Sequence, residues 1–259
     1  MKLAITGKGG VGKTTLTATL ARLYAAEGHP VYTIDADPSS NLALALAFPP
    51  ALAARIIPIS KLAPQLEERA TDAPVRFVDG VLQVEPEVGD LATEYAIAHN
   101  GVRLLKMGSI PAGGSGCACA INNATRALVN HLLLEEKDVL LMDMEAGIEH
   151  MGRATARAVD ALIVVVEPGR ASLEIAQDIR RLAADIGLMR IYAVANRIRN
   201  SAQRQAISAR LDGIPLLGTI GYDPAIIEKD MEGITAFDAG LPLVDEVRTI
   251  RAALDKHLQ

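Results

Sequence analysis

The chain has 259 residues, half of them apolar but only 3% aromatic, with 26 basic and 31 acidic side chains and a net charge of −5. This length suits one α/β domain with a large aliphatic core, and the acidic balance argues against a nucleic-acid-binding role, since neutralising phosphates requires a basic surface. No apolar run approaches the roughly 18 residues of a membrane span, and two cysteines one residue apart suit a reducing compartment. We therefore expect a cytoplasmic protein that binds neither nucleic acid nor membrane.

Apolar runs alternate with helical patterns along the whole chain. The predicted strands are 2–6, 31–35, 102–107, 139–143, 161–166, 191–196 and 215–220. The predicted helices lie near 14–27, 39–47, 120–135, 150–158, 172–186, 201–210 and 242–257. This alternation predicts an α/β fold, with a doubly wound and mostly parallel sheet flanked by helices.

The least regular stretch, residues 48–100, contains several prolines and mixed charges. We interpret it as an insertion or cap within a single domain that spans residues 1–259. Inside this stretch, segments 75–78 and 81–84 are separated by an Asp-Gly turn signal, which predicts a β-hairpin.

The most informative motif follows the first strand and reads GKGGVGKTT over residues 7–15. A GxxxxGK[ST] sequence between a strand and a helix is typical of a phosphate-binding loop (P-loop), in which glycines let backbone N–H groups converge on an anion at a helix N-terminus. We expect Lys13 to reach the β- and γ-phosphates and the Thr14 hydroxyl to ligate Mg²⁺. The residues expected to hold the nucleotide phosphates are Gly9, Gly10, Val11, Gly12, Lys13, Thr14 and Thr15.

A second lysine, Lys8, stands directly after the first glycine of the motif. The run KGGVGKTT resembles the deviant P-loop of the SIMIBI class of ATPases, which includes MinD, ParA, the nitrogenase iron protein and metallocluster-maturation ATPases. In that class the additional lysine reaches across a dimer to the partner's nucleotide. The resemblance implies a homodimer that closes around ATP, with Lys8 as a catalytic residue.

Two further strands end in carboxylates, at the edge where open α/β sheets bind ligands. Asp35 and Asp37 lie in a D-x-D-P-x-x-N pattern that resembles switch I of the same class, which implies that Asp37 orients the attacking water and that Asp35 supports the Mg²⁺ shell or the fold. Asp37 would also serve as a helix N-cap. Asp143 ends an apolar strand as a Walker B aspartate does, and we expect it to hold Mg²⁺ through water. The run DMEAG resembles switch II, which implies that the Gly147 N–H senses the γ-phosphate.

Base recognition is expected after the strand 191–196, where the sequence reads NRIR. GTPases of this broad group use N-K-x-D, whose aspartate pairs with guanine, but here position 199 is Arg. Asn196 can still hydrogen-bond adenine, so we favour ATP over GTP and expect Asn196 and Arg197 to contact the nucleotide. The segment 221–224 either closes over the base or is a plain turn.

Cys117 and Cys119 follow a glycine-rich stretch and precede a predicted helix. Cysteines near a helix N-terminus have a lowered pKa, and two thiolates supply half of a tetrahedral metal shell. A two-fold dimer would bring four thiolates together. Two buried cysteines that act as small apolar residues are the alternative.

The run DMEAGIEH, residues 143–150, adds His150 just after the predicted switch II. Together with the deviant P-loop and the Cys-x-Cys pair, it resembles the CooC-type nickel-insertion ATPases, which serve maturation of carbon monoxide dehydrogenase. The resemblance implies that Cys117 and Cys119 bind Ni²⁺ or Zn²⁺ in a homodimer, that ATP and ADP regulate metal capture, and that the client is carbon monoxide dehydrogenase or a related nickel enzyme. His150 is a coupling residue or a helix-start side chain.

Two other functions of the class stay open. A MinD- or ParA-like positioning switch would need a membrane-targeting helix or a basic surface. The mildly amphipathic residues 247–259 are a weak candidate for the helix. A weak candidate for the basic surface is the group Arg197, Arg199, Arg204 and Arg210. An electron-transfer ATPase like the nitrogenase iron protein would need two well-separated cysteines, and no cysteine follows the predicted switch II.

Overall fold

The computed structural model describes residues 1–37, 41–61, 95–108, 137–145 and 159–258, together with the backbone of 75–78 and 81–84. The helices predicted near 120–135 and 150–158 lie outside these residues.

The described residues contain one eight-stranded sheet and one separate two-stranded sheet. The strands are β1 (Lys2–Gly7), β2 (Val31–Ala36), β3 (Val75–Val78), β4 (Val81–Val84), β5 (Ile97–His99), β6 (Val102–Lys106), β7 (Val139–Met144), β8 (Ala161–Val166), β9 (Ile191–Ile198) and β10 (Leu216–Gly221). The eight-stranded sheet has the order β10-β9-β8-β1-β7-β2-β6-β5, and every neighbouring pair is parallel except β5 and β6. The predicted doubly wound sheet is confirmed, and β3 and β4 form the predicted antiparallel hairpin.

Seven helices have both ends in the described part of the chain. They are α1 (Lys13–Ala26), α2 (Leu42–Ala45), α3 (Pro50–Ala53), α4 (Arg170–Asp185), α5 (Ser201–Ser208), α6 (Ala225–Met231) and α7 (Leu243–Leu258). The ends of α1, α4, α5 and α7 fall within two residues of the predicted ones. The helix predicted to end at residue 47 ends at Ala45, and Ala47 takes a positive φ of 60° that does not continue a helix. The sequence prediction missed α6, a short helix whose start is held by the Asp223 side chain, which accepts the Ala225 N–H at 2.9 Å.

The central strands explain why their sequences read as continuous apolar runs. All six residues of β7 and of β8 are buried, because helices cover both faces of a parallel sheet. On one face α1 packs against β1 and β7, and α7 packs against β10 and α1, with Leu16, Leu20 and Val247 buried there. On the other face α4 packs against β8 through Ala176 and Ile179. This packing holds the carboxyl ends of the strands together at one edge of the sheet.

Both ends of the irregular stretch 48–100 join the main sheet and its core. Phe48 is buried beside His99, with ring centroids 5.2 Å apart, and β5 pairs with β6. The turn between these strands is Asn100-Gly101, with φ of 49° and 77°, the conformation that favours an Asn-Gly hairpin. Strand β5 was not predicted, although Asn100-Gly101 is a hairpin turn signal.

Candidate nucleotide site

The strand order gathers the predicted site residues at one edge. β1 lies between β7 and β8, with Ile5 beside Asp143 and Gly7 beside Val165. β2 lies next to β7 and places Asp35 beside Asp143. The P-loop, which follows β1, therefore has the ends of β7 and β2 on one side and the ends of β8 and β9 on the other.

The loop after β1 has the tight, glycine-dependent shape that a P-loop requires. Gly7 has a φ of 143°, and a Cβ there would lie 2.3 Å from the Val165 carbonyl oxygen. Gly12 has a φ of 100°, and a Cβ there would lie 2.2 Å from the Asn196 amide nitrogen. Both positions combine a left-handed conformation with a close approach, so neither accepts a larger residue without strain. Gly9 and Gly10 leave open space around them.

The predicted phosphate lysine is already oriented by this loop. Lys13 is the first residue of α1 and is only 6% exposed. Its Nζ donates to the Lys8 carbonyl oxygen at 3.4 Å, and the Val11 N–H donates to the same oxygen at 3.3 Å. The ammonium group therefore lies inside the loop, where an anion held by the backbone N–H groups would meet it.

Asp143 is the centre of the acidic half of the site. Its Oδ2 accepts a hydrogen bond from the Thr14 hydroxyl at 2.6 Å, and its Oδ1 lies 3.5 Å from the Thr17 hydroxyl. The side chain is buried, with 1% of its surface exposed. Thr14 and Asp143, the two residues predicted to manage Mg²⁺, are thus in direct contact.

Burial raises the pKa of Asp143 to about 7, and the nearby Asp35 and Asp37 carboxylates add to the increase. The hydrogen bond from Thr14 and the charge of Lys13 oppose it. A buried carboxylate beside two others gains from a divalent cation, which removes both the desolvation cost and the like-charge repulsion. Oxygen donors of this kind fit Mg²⁺.

The two switch I aspartates have different positions. Asp35 is 2% exposed, and its Oδ2 accepts the N–H of Leu42, the first residue of α2, at 3.2 Å. Asp35 therefore holds the start of α2, in line with a supporting role in the fold. Asp37 lies one residue beyond β2 and is half-buried. Its role in orienting water stays a prediction.

The other half of the site is basic and contains a residue that the sequence analysis missed. Glu167 follows β8 directly and accepts hydrogen bonds from Lys8 Nζ at 3.1 Å and from Arg197 Nη1 at 2.9 Å. The same signal that marked Asp143, a carboxylate at the end of a buried strand, was present here. Glu167 was not predicted as a site residue, because the Pro168-Gly169 pair that follows it is typical of a plain turn.

Asn196 contacts the P-loop itself. Its Nδ2 donates to the Val11 carbonyl oxygen at 2.7 Å, and its Oδ1 accepts the Arg197 N–H at 2.8 Å. Arg197 has a φ of 59°, which turns the chain at the end of β9. Asn196 thus braces the loop that is predicted to hold the phosphates, and its contact with adenine stays a prediction.

A cavity of about 240 Å³ lies beside this turn. Thr15 and Thr19 of α1, Arg197, and Ile226 and Phe237 from the segment after β10 line it. No sequence signal marked the last two residues. A larger cavity of about 650 Å³ lies between α4 and α5 and includes none of the P-loop residues.

The predicted metal residues Cys117 and Cys119, the γ-phosphate sensor Gly147 and His150 lie outside the described residues. Within the described ranges, no three His, Cys, Asp or Glu side chains form a metal-ligand set by themselves, so Mg²⁺ beside Asp143 would also need ligands from Thr14, water and the nucleotide. In the same ranges, no helix has the length and apolar character needed to cross a membrane.

Comparison with known proteins identifies the class. Residues 2–236 match the model of the CobQ/CobB/MinD/ParA nucleotide binding domain. The chain belongs to this family. Its members bind nucleotides, and the resemblance to the MinD/ParA class that the P-loop indicated is confirmed.

Individual relatives indicate which members of the MinD/ParA family this chain is similar to in sequence and fold. It is 40% identical over 254 residues to the carbon monoxide dehydrogenase accessory protein CooC of Rhodospirillum rubrum, covering 98% of this chain and 96% of that protein. It is 38% identical to an uncharacterized ATP-binding protein of Methanocaldococcus jannaschii, covering 90% of each. A ParA family ATPase from Chlorobium tepidum shares the fold, with a TM-score of 0.71, 19% identity and 98% of both chains covered. The chain is a CooC-related ATPase of the MinD/ParA family.

Proposed function

We propose that this ATPase is a cytoplasmic, nucleotide-gated metallochaperone that loads nickel into carbon monoxide dehydrogenase or a related nickel enzyme. The observation that carries the proposal is the similarity to CooC over almost the whole of both chains. The Cys-x-Cys pair, Cys117 and Cys119, supplies the chemistry, because two thiolates bind a soft or borderline metal ion.

The nucleotide reaction follows from the phosphate half of the site. Backbone N–H groups of the P-loop and the buried Lys13 would hold the phosphates of ATP, and Thr14 and Asp143 would hold Mg²⁺. When bound, Mg²⁺ neutralises charge on the β- and γ-phosphates. Asp37 would orient water toward the γ-phosphate. Catalysis of this kind consists mostly of positioning and charge stabilisation.

We assign the adenine base to the cavity of about 240 Å³ beside Arg197. Its wall contains Ile226 and Phe237, and apolar walls with a few polar groups are typical of sites that bury a small aromatic ligand. Thr15 lines the same cavity and follows Thr14 directly, so a nucleotide would extend from the P-loop into it. Asn196 would link the two parts, since it already contacts the loop backbone.

Metal capture would depend on dimer closure. Each protomer contributes two thiolates, which is half of a tetrahedral shell, and a two-fold axis through the pair completes it. ATP-driven closure, sensed by Gly147 in switch II, would assemble or distort this shared site. Nucleotide state would then decide whether Ni²⁺ or Zn²⁺ is held or released to the client.

The test is metal stoichiometry by equilibrium dialysis with Ni²⁺ and with Zn²⁺, without nucleotide, with ADP and with a non-hydrolysable ATP analogue. We expect one metal per dimer in the wild type, with an affinity that changes with nucleotide, and no tight binding in the double Cys117→Ser, Cys119→Ser variant. Lys13→Ala is the control for gating, because it keeps both thiols but should remove the response to nucleotide. Tight metal binding that survives the double substitution would refute the thiolate site.

The rival function is a MinD- or ParA-like positioning switch, which the family match also accommodates. It predicts ATP-dependent dimerisation without thiol-dependent metal binding. If the double cysteine variant and the wild type bind metal equally weakly in every nucleotide state, the switch function replaces the metallochaperone proposal.

A further inference from the structure

Glu167 occupies a position from which it contacts two functional parts of the site. It follows β8, which pairs with β1 on one side and with β9 on the other. Lys8 directly follows β1, in the P-loop, and Arg197 lies near the end of β9, where it lines the cavity assigned to the base. The strand order therefore places the Glu167 carboxylate between Lys8, which is predicted to act on the partner's nucleotide, and Arg197, which lines the cavity assigned to adenine.

Each oxygen of this carboxylate holds one cation. Oε1 accepts from Lys8 Nζ at 3.1 Å, and Oε2 accepts from Arg197 Nη1 at 2.9 Å. The backbone of Glu167 is fixed as well, because its N–H donates at 3.0 Å to the hydroxyl of Ser172, which is 2% exposed in the first turn of α4. The backbone of Glu167 is thus held by α4, and Lys8 is joined to its side chain by one ion pair.

The exposure of the three side chains fits an exchangeable contact. Lys8 and Arg197 are 40% and 50% exposed, and Glu167 is 18% exposed. Ion pairs at this level of exposure are weak and screened by salt, so Lys8 can exchange its own chain's carboxylate for a phosphate at little cost. A fully buried pair would hold the lysine too strongly for such an exchange.

We propose that Glu167 is a positioning residue that restrains Lys8 on its own protomer until the ATP-bound dimer forms. The proposal rests on one part of the proposed function, the ATP-driven dimer. In that dimer, Lys8 acts on the nucleotide bound to the second copy of the chain. In the resting protomer, Glu167 neutralises Lys8 and keeps it from the dimer face. On closure, Lys8 leaves Glu167 for the partner's phosphates, and Glu167 keeps Arg197 at the base cavity.

The test is sedimentation of the protein with a non-hydrolysable ATP analogue, for the wild type and for Glu167→Gln. The substitution keeps the shape and the backbone bond to Ser172 but removes the charge that restrains Lys8. We expect the dimer dissociation constant to fall roughly two- to fivefold, the range that an exposed ion pair supports. The analogue is kept saturating for both proteins, because loss of the Glu167–Arg197 ion pair can itself change nucleotide affinity. The difference from wild type should shrink at high salt, because the restraint is ionic.

Two controls separate restraint from a structural role. Glu174→Gln removes an exposed carboxylate that pairs with Arg170 at 2.7 Å one turn into α4, and it should leave the dissociation constant unchanged. In a Lys8→Ala background, Glu167→Gln should have no further effect on dimerisation. The conservative Glu167→Asp, which keeps the charge, should lie between wild type and Glu167→Gln.

Equal dimerisation of Glu167→Gln and Glu174→Gln would overturn the proposal, and so would an effect of Glu167→Gln that persists without Lys8. Failure of the trans-lysine role itself has another signature. In that case Lys8→Ala alone would leave both hydrolysis and dimerisation at wild-type levels, whatever Glu167→Gln does. The metal proposal is independent of both results, since it depends on Cys117 and Cys119.

Discussion

Asp143 and Glu167 hold equivalent places in the sheet and have opposite surroundings. β7 and β8 flank β1 on its two sides, and a carboxylate stands at the carboxyl end of each. Asp143 is buried beside the hydroxyls of Thr14 and Thr17, and its pKa is raised to about 7. Glu167 is partly exposed and is held by two cations of the chain itself.

The difference comes from the second neighbour of each strand, the one on the side away from β1. β7 has β2 as its other neighbour, which brings the Asp35 and Asp37 carboxylates to Asp143. β8 has β9, which brings Arg197 to Glu167. Strand order therefore makes one half of the edge an acidic site that favours a metal cation and the other half a site that is already neutralised by protein cations.

The largest effect that tests this contrast is the loss of hydrolysis on removing the acidic centre. Asp143→Asn should lower the steady-state rate of ATP hydrolysis on the order of 10²- to 10³-fold, because a charge that stabilises the phosphate transition state through Mg²⁺ is lost. The rate is measured across a Mg²⁺ titration. Asp138 directly precedes the first residue of β7, at the end of the strand away from Asp143. Asp138→Asn is therefore the matched control and should hydrolyse ATP at the wild-type rate. A fully active Asp143→Asn would remove Asp143 from the reaction.

The close approach of β1 and β8 is the next target. Gly7→Ala would place a Cβ 2.3 Å from the Val165 carbonyl oxygen at a φ of 143°. We expect the free energy of unfolding of the nucleotide-free protein to fall by about 2–3 kcal/mol, measured by urea denaturation. Gly9→Ala, where the added Cβ meets nothing within 4 Å, should change it by less than about 1 kcal/mol. Equal effects would contradict the loop geometry.

The pH dependence of stability should distinguish Asp143 from the rest of the chain. The ordinary pKa of this carboxyl, 3.8, applies to the unfolded state, and the folded value is about 7. Between these values the unfolded state releases a proton that the folded state keeps, so stability falls as the pH rises through this window and is greatest below it. Wild type minus Asp143→Asn should show a loss of about 1–3 kcal/mol between pH 4 and pH 8 without Mg²⁺. Parallel profiles for the two proteins would refute the raised pKa.

The smallest expected effect concerns the brace between β9 and the P-loop. Asn196→Ala removes the 2.7 Å hydrogen bond to the Val11 carbonyl oxygen, which should weaken ATP binding roughly fivefold, equivalent to about 1 kcal/mol. Asn200→Ala removes a hydrogen bond to the Gln203 N–H at the start of α5 and should lower stability by about 1 kcal/mol without changing ATP affinity. Affinity is measured by calorimetry. If both variants bind ATP like wild type, Asn196 has no part in holding the loop.

Features that depend on a short continuous stretch of chain were predictable from the sequence. The P-loop was recognised because glycine conformation, a strand before it and a helix after it are all encoded within residues 2–27. Most strands of the main sheet were found because parallel strands that are buried on both faces read as apolar runs. The elements that were missed, β5, α3 and α6, are three, four and seven residues long, too short to show a clear periodic pattern.

By itself the sequence determined the class of this protein: a deviant P-loop ATPase with an α/β sheet, an acidic strand end at Asp143 and a Cys-x-Cys pair. Only the tertiary structure decided which of these residues touch. Glu167 lies 159 positions from Lys8 and 30 from Arg197 in the chain, yet it binds both. Contacts of this kind depend on the order in which strands pair, and pairing is settled by packing across the whole sheet and not by any local pattern.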